Sequence, residues 1–380
     1  MEHNLDFNFQ VLLDSIGLIQ GVTLGVLLII LNKRKYRSTL FLGLFLLFFS
    51  LELATFISMD PKVSAEYPKF FLLPFNFAWL LLPLFFIYTQ QVSVLSSNKI
   101  KYWILYPGIV AFLIQVVIFW LPVENKQIIF ENEWYALILW VFGFFYSWII
   151  GIWNLRLLYK HSAEVKNTYS YITLKELRWA RFFLIYLLAN SVTSYILTDV
   201  LPIFGYPENF YSKITFSVMD LIGIYWVSYF GIVQRNVRSV LSKNLLPDAL
   251  QNKPIADTKL NSMMPEGLEG LMKKIDDHMT CNESFTNPDL TIADLANDLK
   301  LHPKPVSVAI NTHSQQNFNS YVNQLRINKA KMLLKDQSLS HFSIEGIGEE
   351  VGFHSKSAFY SAFKKVTETT PAKYKERIAI

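Results

Sequence analysis

Cysteine is nearly absent. Cys281 stands alone in 380 residues. It excludes a disulfide within the chain and any site built from several thiolates, and it suits a reducing compartment. Charge is scarce too. Charged residues make up 17%, where about 25% is ordinary for a soluble chain. With 52% hydrophobic residues, that scarcity excludes intrinsic disorder and a single ordinary soluble domain. Tryptophan is missing from the last part of the chain, since all nine lie between Trp79 and Trp226. The N-terminus lacks the basic start of a signal peptide, so the first apolar run is expected to be retained. The apolar runs hold no histidine, and the first 233 residues show no Ser/His pair and no glycine-rich phosphate loop. That pattern disfavours an embedded metalloprotease or thiol enzyme. No catalytic residue, metal site or cofactor is expected.

What is present divides the chain in two. Seven apolar stretches of about 20 residues, the length needed to cross a bilayer, run over residues 9–31, 39–58, 70–92, 102–121, 134–155, 179–201 and 214–233. Basic residues cluster in alternate loops: Lys33, Arg34, Lys35 and Arg37; then Lys99 and Lys101; then Arg156, Lys160, Lys166, Lys175 and Arg178; then Arg235, Arg238 and Lys243. Basic loops mark the cytoplasmic side. The expected topology puts the N-terminus outside and everything after residue 233 in the cytoplasm.

Inside these stretches, Gly17, Gly21 and Gly25 recur every four residues and permit close helix approach. Packing within the bundle is favoured over a homodimer contact. Pro74, Pro83 and Pro107 are expected to kink the third and fourth helices. Glu52 and Asp220 fall within the spans. Carboxyls at that depth usually face a cavity or the protein interior. The two are candidates either for a ligand-responsive polar pocket or for a brace within the bundle.

Residues 234–265 read as a polar linker punctuated by Pro247, Pro254 and Pro265. Beyond it, residues 300–380 carry 12 basic and 6 acidic side chains, a balance suited to a polyanion. Short amphipathic helices form two helix-turn-helix units joined by a longer helix. In the first, TIADLANDLKLHPKPVSVAIN, Thr291 is a candidate cap, Lys300 and Leu301 make the turn, and Pro303 opens the second helix. In the second, SIEGIGEEVGFHSKSAFYSAFKK, Gly352 suits the turn and Ser355 the cap. A connecting helix over residues 317–335 would bury Phe318, Val322, Leu325, Ala330, Leu333 and Leu334.

The pieces NPDLTIADLA, NFNSYVNQLRINKAKMLL and SIEGIGEEVGFHSKSAFYSAFKKVTETTPAKYK, in that order, resemble the DNA-binding domain of AraC-type transcription regulators. The resemblance covers about 110 residues. The whole layout is similar, more loosely, to membrane-bound regulators of that family. The fold class implied is all-α: a seven-helix transmembrane bundle (1–233), a linker (234–265), and a double helix-turn-helix domain (266–380).

Double-stranded DNA is the implied partner, beside the lipid bilayer, a homodimer and a signal ligand of unknown nature. By position, the resemblance makes Lys304, Ser307, Val308 and Asn311 base-facing, and then Lys356, Ser357, Tyr360 and Ser361. Lys364 and Lys365 are placed for phosphates. The second unit, richer in long polar side chains, is expected to supply more of the base reading. Three positions depart from the family's habit: Lys300 and Glu368 where Gly is usual, and Gly348 where Ala is usual. The competing reading is a transporter or intramembrane enzyme with a regulatory DNA-binding tail, with Glu52 and Asp220 as its site.

Overall fold

The structure is a computed structural model that describes residues 9–30, 38–95, 100–173, 175–206, 210–243, 265–336 and 342–378. It is helical throughout the described residues, where the only extended pairing is one isolated bridge. The chain forms two compact units: residues 1–161 with 177–240, and residues 162–176 with 241–380. Lys33, Arg34, Lys35, Arg37 and Lys99, on which the expected topology leans, lie outside the described residues, as does 244–264 of the expected linker.

The first unit contains α1 (Phe9–Ile30), α2 (Ser38–Met59), α3 (Leu81–Val92), α4 (Tyr106–Phe119), most of α5 (Phe142–Thr168), α6 (Arg178–Tyr195) and α7 (Phe210–Lys243). Among the described residues, five helical segments are long and apolar enough to cross a membrane: Phe9–Ile30, Thr39–Met59, Tyr102–Phe119, Leu137–Thr168 and Lys213–Val233. The expectation was seven. The two not among them are α3, with 12 residues, and α6, which opens on Arg178 and Arg181 and runs on through a π-helical turn to Ile203.

The expected third stretch, 70–92, is therefore not one helix. Pro68–Phe70 make a 3-10 turn, and regular helix begins only at Leu81. The chain between is irregular, and its amides are met by side chains from elsewhere in the unit. The Asn76 N–H donates to Gln115 Oε1 at 3.1 Å and the Phe77 N–H to Glu52 Oε1 at 2.7 Å. Buried backbone without regular structure is tolerated only where other groups satisfy it. Helix is absent around Pro74, and Glu52, a candidate for either a polar pocket or a brace, accepts from the backbone at that break.

The glycine face of α1 is filled by α2 of the same chain. A methyl group added at Gly21 would stand 1.7 Å from Ser50 Oγ, and one at Gly25 would stand 2.9 Å from the Leu47 amide nitrogen. Phe45, Phe85 and Phe183 form an aromatic centre beside them, with ring centroids 5.4–5.9 Å apart. Two buried polar links join α3 and its C-cap to α5: Thr89 Oγ1 to Asn154 Oδ1 at 2.6 Å and, against the expectation of no Ser/His pair in this half, Ser93 Oγ with His161 Nδ1 at 3.2 Å.

The second unit contains α8 (Pro265–Cys281), α9 (Ile292–Asp298), α10 (Pro303–Ser314), α11 (Phe318–Lys335), α12 (Ile344–Glu350), α13 (Lys356–Thr367) and α14 (Pro371–Ile378). It has two cores that share one helix. Phe318, Tyr321 and Val322 of α11 complete a core with Ile275, Leu295, Val306 and Ile310. Further along, Ile327, Ala330 and Leu334 complete another with Ile347, Val351, Phe359 and Phe363. Leu325 and Leu333, expected on the apolar side of this helix, are only partly buried. Tyr321, Ile327 and Arg326 are buried instead.

Candidate nucleic-acid interface

Local chemistry sets each helix end. Thr291 and Asp294 form a reciprocal capping box at the start of α9. The chain reverses at Lys300, with φ of 55°, and the Leu301 N–H closes the turn on the Ala296 carbonyl at 2.8 Å. Pro303 opens α10 as expected, but the cap is His302, whose Nδ1 accepts from the Lys304 amide at 3.4 Å. Val306, Ala309 and Ile310 are fully buried and hold α10 in place. Lys304 and Asn311 are left exposed, and Ser307 and Val308 are half-buried.

The second unit repeats the plan. Ser343 caps α12 through the Gly346 amide at 2.9 Å. Gly352 turns the chain with φ of 97°, and Ser355 caps α13 through the Ala358 amide at 3.3 Å. Phe359 and Phe363 are fully buried. Lys356, Ser357, Ser361, Lys364 and Lys365 are exposed, and Tyr360 is half-buried.

Sequence reading missed Glu345. Its carboxylate lies 2.6 Å from Lys356 Nζ and accepts from the Tyr360 hydroxyl at 3.5 Å. The Lys356 hydrogen bond holds the Glu345 carboxyl below its usual range, and the same contact raises the Lys356 ammonium. The two longest candidate readers of α13 are thus presented together. A link between residues 345 and 356 exists only once the turn has folded, so no short sequence pattern shows it.

The departures from the family habit have structural counterparts. Lys300 and Glu368 both keep left-handed backbone, with φ of 55° and 59°, in the conformation that favours glycine. At Gly348 an added methyl would meet the Phe359 ring 2.8 Å away. The glycine lets α12 sit directly on Phe359.

Arg326 was read only as part of a helix, yet it is 2% exposed. Its Nε donates to the Phe285 carbonyl and its Nη2 to the Asn287 carbonyl, each at 2.7 Å. Burial pulls the guanidinium down to about 10, against the opposing charge of Asp289, so it remains cationic at neutral pH. Its role is to tie the loop before α9 to α11, which joins the two helix-turn-helix units.

In the first unit, Glu52 and Asp220 are near enough to feel each other's charge. Asp220 accepts from Asn190 Nδ2 at 3.4 Å. Asp14 is 3% exposed and hydrogen-bonded to Ser217 and Gln10. Of these carboxyls, Glu52 serves the broken segment before α3.

Residues 295–377 match a helix-turn-helix domain family. That interval runs from within α9 to the last turn of α14, so it holds α10 and α13, the second helix of each helix-turn-helix unit. The C-terminal part of this chain is a helix-turn-helix domain. Over 176 residues the chain is 27% identical to the regulatory protein PocR of Salmonella typhimurium, an alignment covering 45% of this chain and 51% of that protein. The chain thus spans about half the length of that relative. No solved structure matches.

Proposed function

We propose that this protein is a membrane-anchored transcription regulator that binds DNA through its second unit. The observation that carries the reading is the paired presentation of α10 and α13. Each is the second helix of a helix-turn-helix unit, each buries one face, and each offers polar side chains on the other. In such units the second helix enters the major groove, and paired elements are read one helical turn apart, about 34 Å. The 18 residues of α11 measure about 27 Å at 1.5 Å per residue, a length suited to that spacing. The resemblance to a regulatory protein agrees with this reading.

Lys304, Ser307, Val308 and Asn311, with Lys356, Ser357, Tyr360 and Ser361, face bases in this proposal, and Lys364 and Lys365 meet phosphates. The hydrophobic helices anchor the chain, with α3 and its irregular lead-in and α6 completing seven passes. The carboxyls Asp14, Glu52 and Asp220 are the place in the bundle where a signal would act. The test is selection from a random duplex library by the full chain in lipid discs. Recovery of a motif that Lys356→Ala with Tyr360→Ala abolishes supports the proposal. Recovery of no motif, with retention no greater than that of empty discs, rejects it.

A further inference from the structure

Residues 162–176 lie in chain order between α5 and α6, yet they fold with the helix-turn-helix unit. The attachment is specific. Tyr169 pairs with Thr291 as an antiparallel bridge, and the Ser170 N–H donates to the Leu290 carbonyl at 3.1 Å. Ser170 Oγ donates to the Pro288 carbonyl and accepts from Arg326 Nη2, each at 3.4 Å. Asn319 Nδ2 donates to the Ser170 carbonyl. The ring of Tyr171 lies 4.4 Å from that of His354. Tyr169 and Ser170 are 3% and 2% exposed. Behind them, Lys175 Nζ sits 4.2 Å over the Tyr169 ring, and Glu176 accepts from Ser162 and pairs with Lys166, each at 3.1 Å.

The place of attachment matters more than its strength. It is the joint between the two helix-turn-helix units. There the Thr286 carbonyl oxygen comes so close to Gly352 that an added methyl would stand 2.4 Å from it. Arg326 binds the 285–287 carbonyls and lies 5.5 Å over the Phe353 ring. His354 meets Asp289 at 3.1 Å and directly precedes Ser355, the cap of α13. The strap therefore touches the entry to α9 through Thr291, the linker helix through Asn319 and Arg326, and the entry to α13 through His354.

We propose that residues 169–171 are the transmission contact by which the hydrophobic half sets the angle between the two recognition helices, with Leu290, Asn319 and His354 as the receiving surface. This rests on the DNA-binding reading above. Two helices that must enter successive major grooves tolerate little change in their angle, and a wedge at their joint moves both. The α5 helix runs unbroken to Thr168, so a shift along or about its axis reaches Tyr169 one residue later. A rigid element delivering a displacement to a two-part joint is a physical route for coupling between distant sites.

Two measurements on the full chain in native membranes and lipid discs test this. In a Cys281→Ser background, Tyr171→Cys with His354→Cys should be joined by a short thiol cross-linker, so that the two halves stay linked after cleavage at a protease site placed beside Pro254. Tyr171→Ala should then change affinity for a two-element DNA site by about fivefold or more, the lower end of allosteric couplings, and shift the preferred spacing of the elements. His354→Ala should match it, and Tyr159→Ala, outside the strap, should not. Halves that separate after cleavage overturn the proposal. So does cross-linking with unchanged affinity and spacing in Tyr171→Ala, which makes the strap a static brace. If the unaltered chain binds no DNA while the halves stay linked, the DNA-binding reading fails, and this proposal fails with it.

Discussion

Arg326 offers a direct test of how the two helix-turn-helix units are held. Replacing it with Met keeps most of the side-chain volume and removes the donors to the Phe285 and Asn287 carbonyls. A hydrogen bond to a charged group contributes about 1.5–3 kcal/mol. Two of them set a loss of about 3 kcal/mol at the low end. The longer contact to Ser170 Oγ at 3.4 Å adds little. Relief of the buried charge offsets part of the loss, since an apolar replacement of a buried ionic group can be nearly neutral. Here, however, the carbonyls stay buried without a donor, so about 3 kcal/mol stands. The second unit has no tryptophan, so fluorescence would report on the other half. Amide hydrogen exchange of α9 and α11 in the full chain is the suitable assay. A loss of that size accelerates exchange about 100-fold, at tenfold per 1.4 kcal/mol. Arg326→Lys, which can reach one carbonyl but not fork to both, should fall between. Exchange in Arg326→Met within threefold of the unaltered chain would refute the reasoning.

Further outcomes are expected. Gly348→Ala should destabilise the second unit by about 1 kcal/mol: overpacking against Phe359, about 1–3 kcal/mol, outweighs the helix propensity gained, about 1 kcal/mol. The same exchange measurement on α12 checks it. Lys300→Gly and Glu368→Gly should each stabilise by about 0.5–1 kcal/mol, because relief of left-handed strain, about 1–2 kcal/mol, exceeds the entropy of an added glycine, about 0.4–1 kcal/mol. Gly21→Ala should lower the unfolding temperature of the detergent-solubilised chain, since its methyl would coincide with Ser50 Oγ. In DNA titrations, Lys364→Ala should weaken every sequence alike and reduce the salt slope by about 1. Lys356→Ala should relax discrimination by about 1–3 kcal/mol at the bases it reads.

Much of the second unit was legible in its sequence because its determinants are local. Thr291, Pro303, Gly352 and Ser355 act on residues two to five positions away, and each does in the structure what its type and place suggest. What was not legible depends on distance along the chain. Arg326 lies 41 residues from the carbonyl of Phe285, and Glu345 reaches Lys356 only across a folded turn. In the hydrophobic half, composition marked the long apolar stretches but not their regularity. Pro74 and Pro83 are expected to kink the third stretch, whereas the chain around Pro74 is unwound, with Glu52 and Gln115 as substitute acceptors, and Pro83 sits in the first turn of α3. The strap was least visible of all. Its residues, Tyr169 to Tyr171, follow a basic loop helix and were counted only for their neighbouring charges.

The central claim is that one chain, held in the membrane, reads DNA. Genome-wide occupancy of the intact protein, recovered from the membrane fraction after cross-linking, tests it most directly. The expected result is a set of sites sharing two short elements about 10–10.5 base pairs apart, lost when Lys356 and Tyr360 are both replaced by Ala. Occupancy no different from that double variant, or a protein recovered free of the membrane, would contradict it.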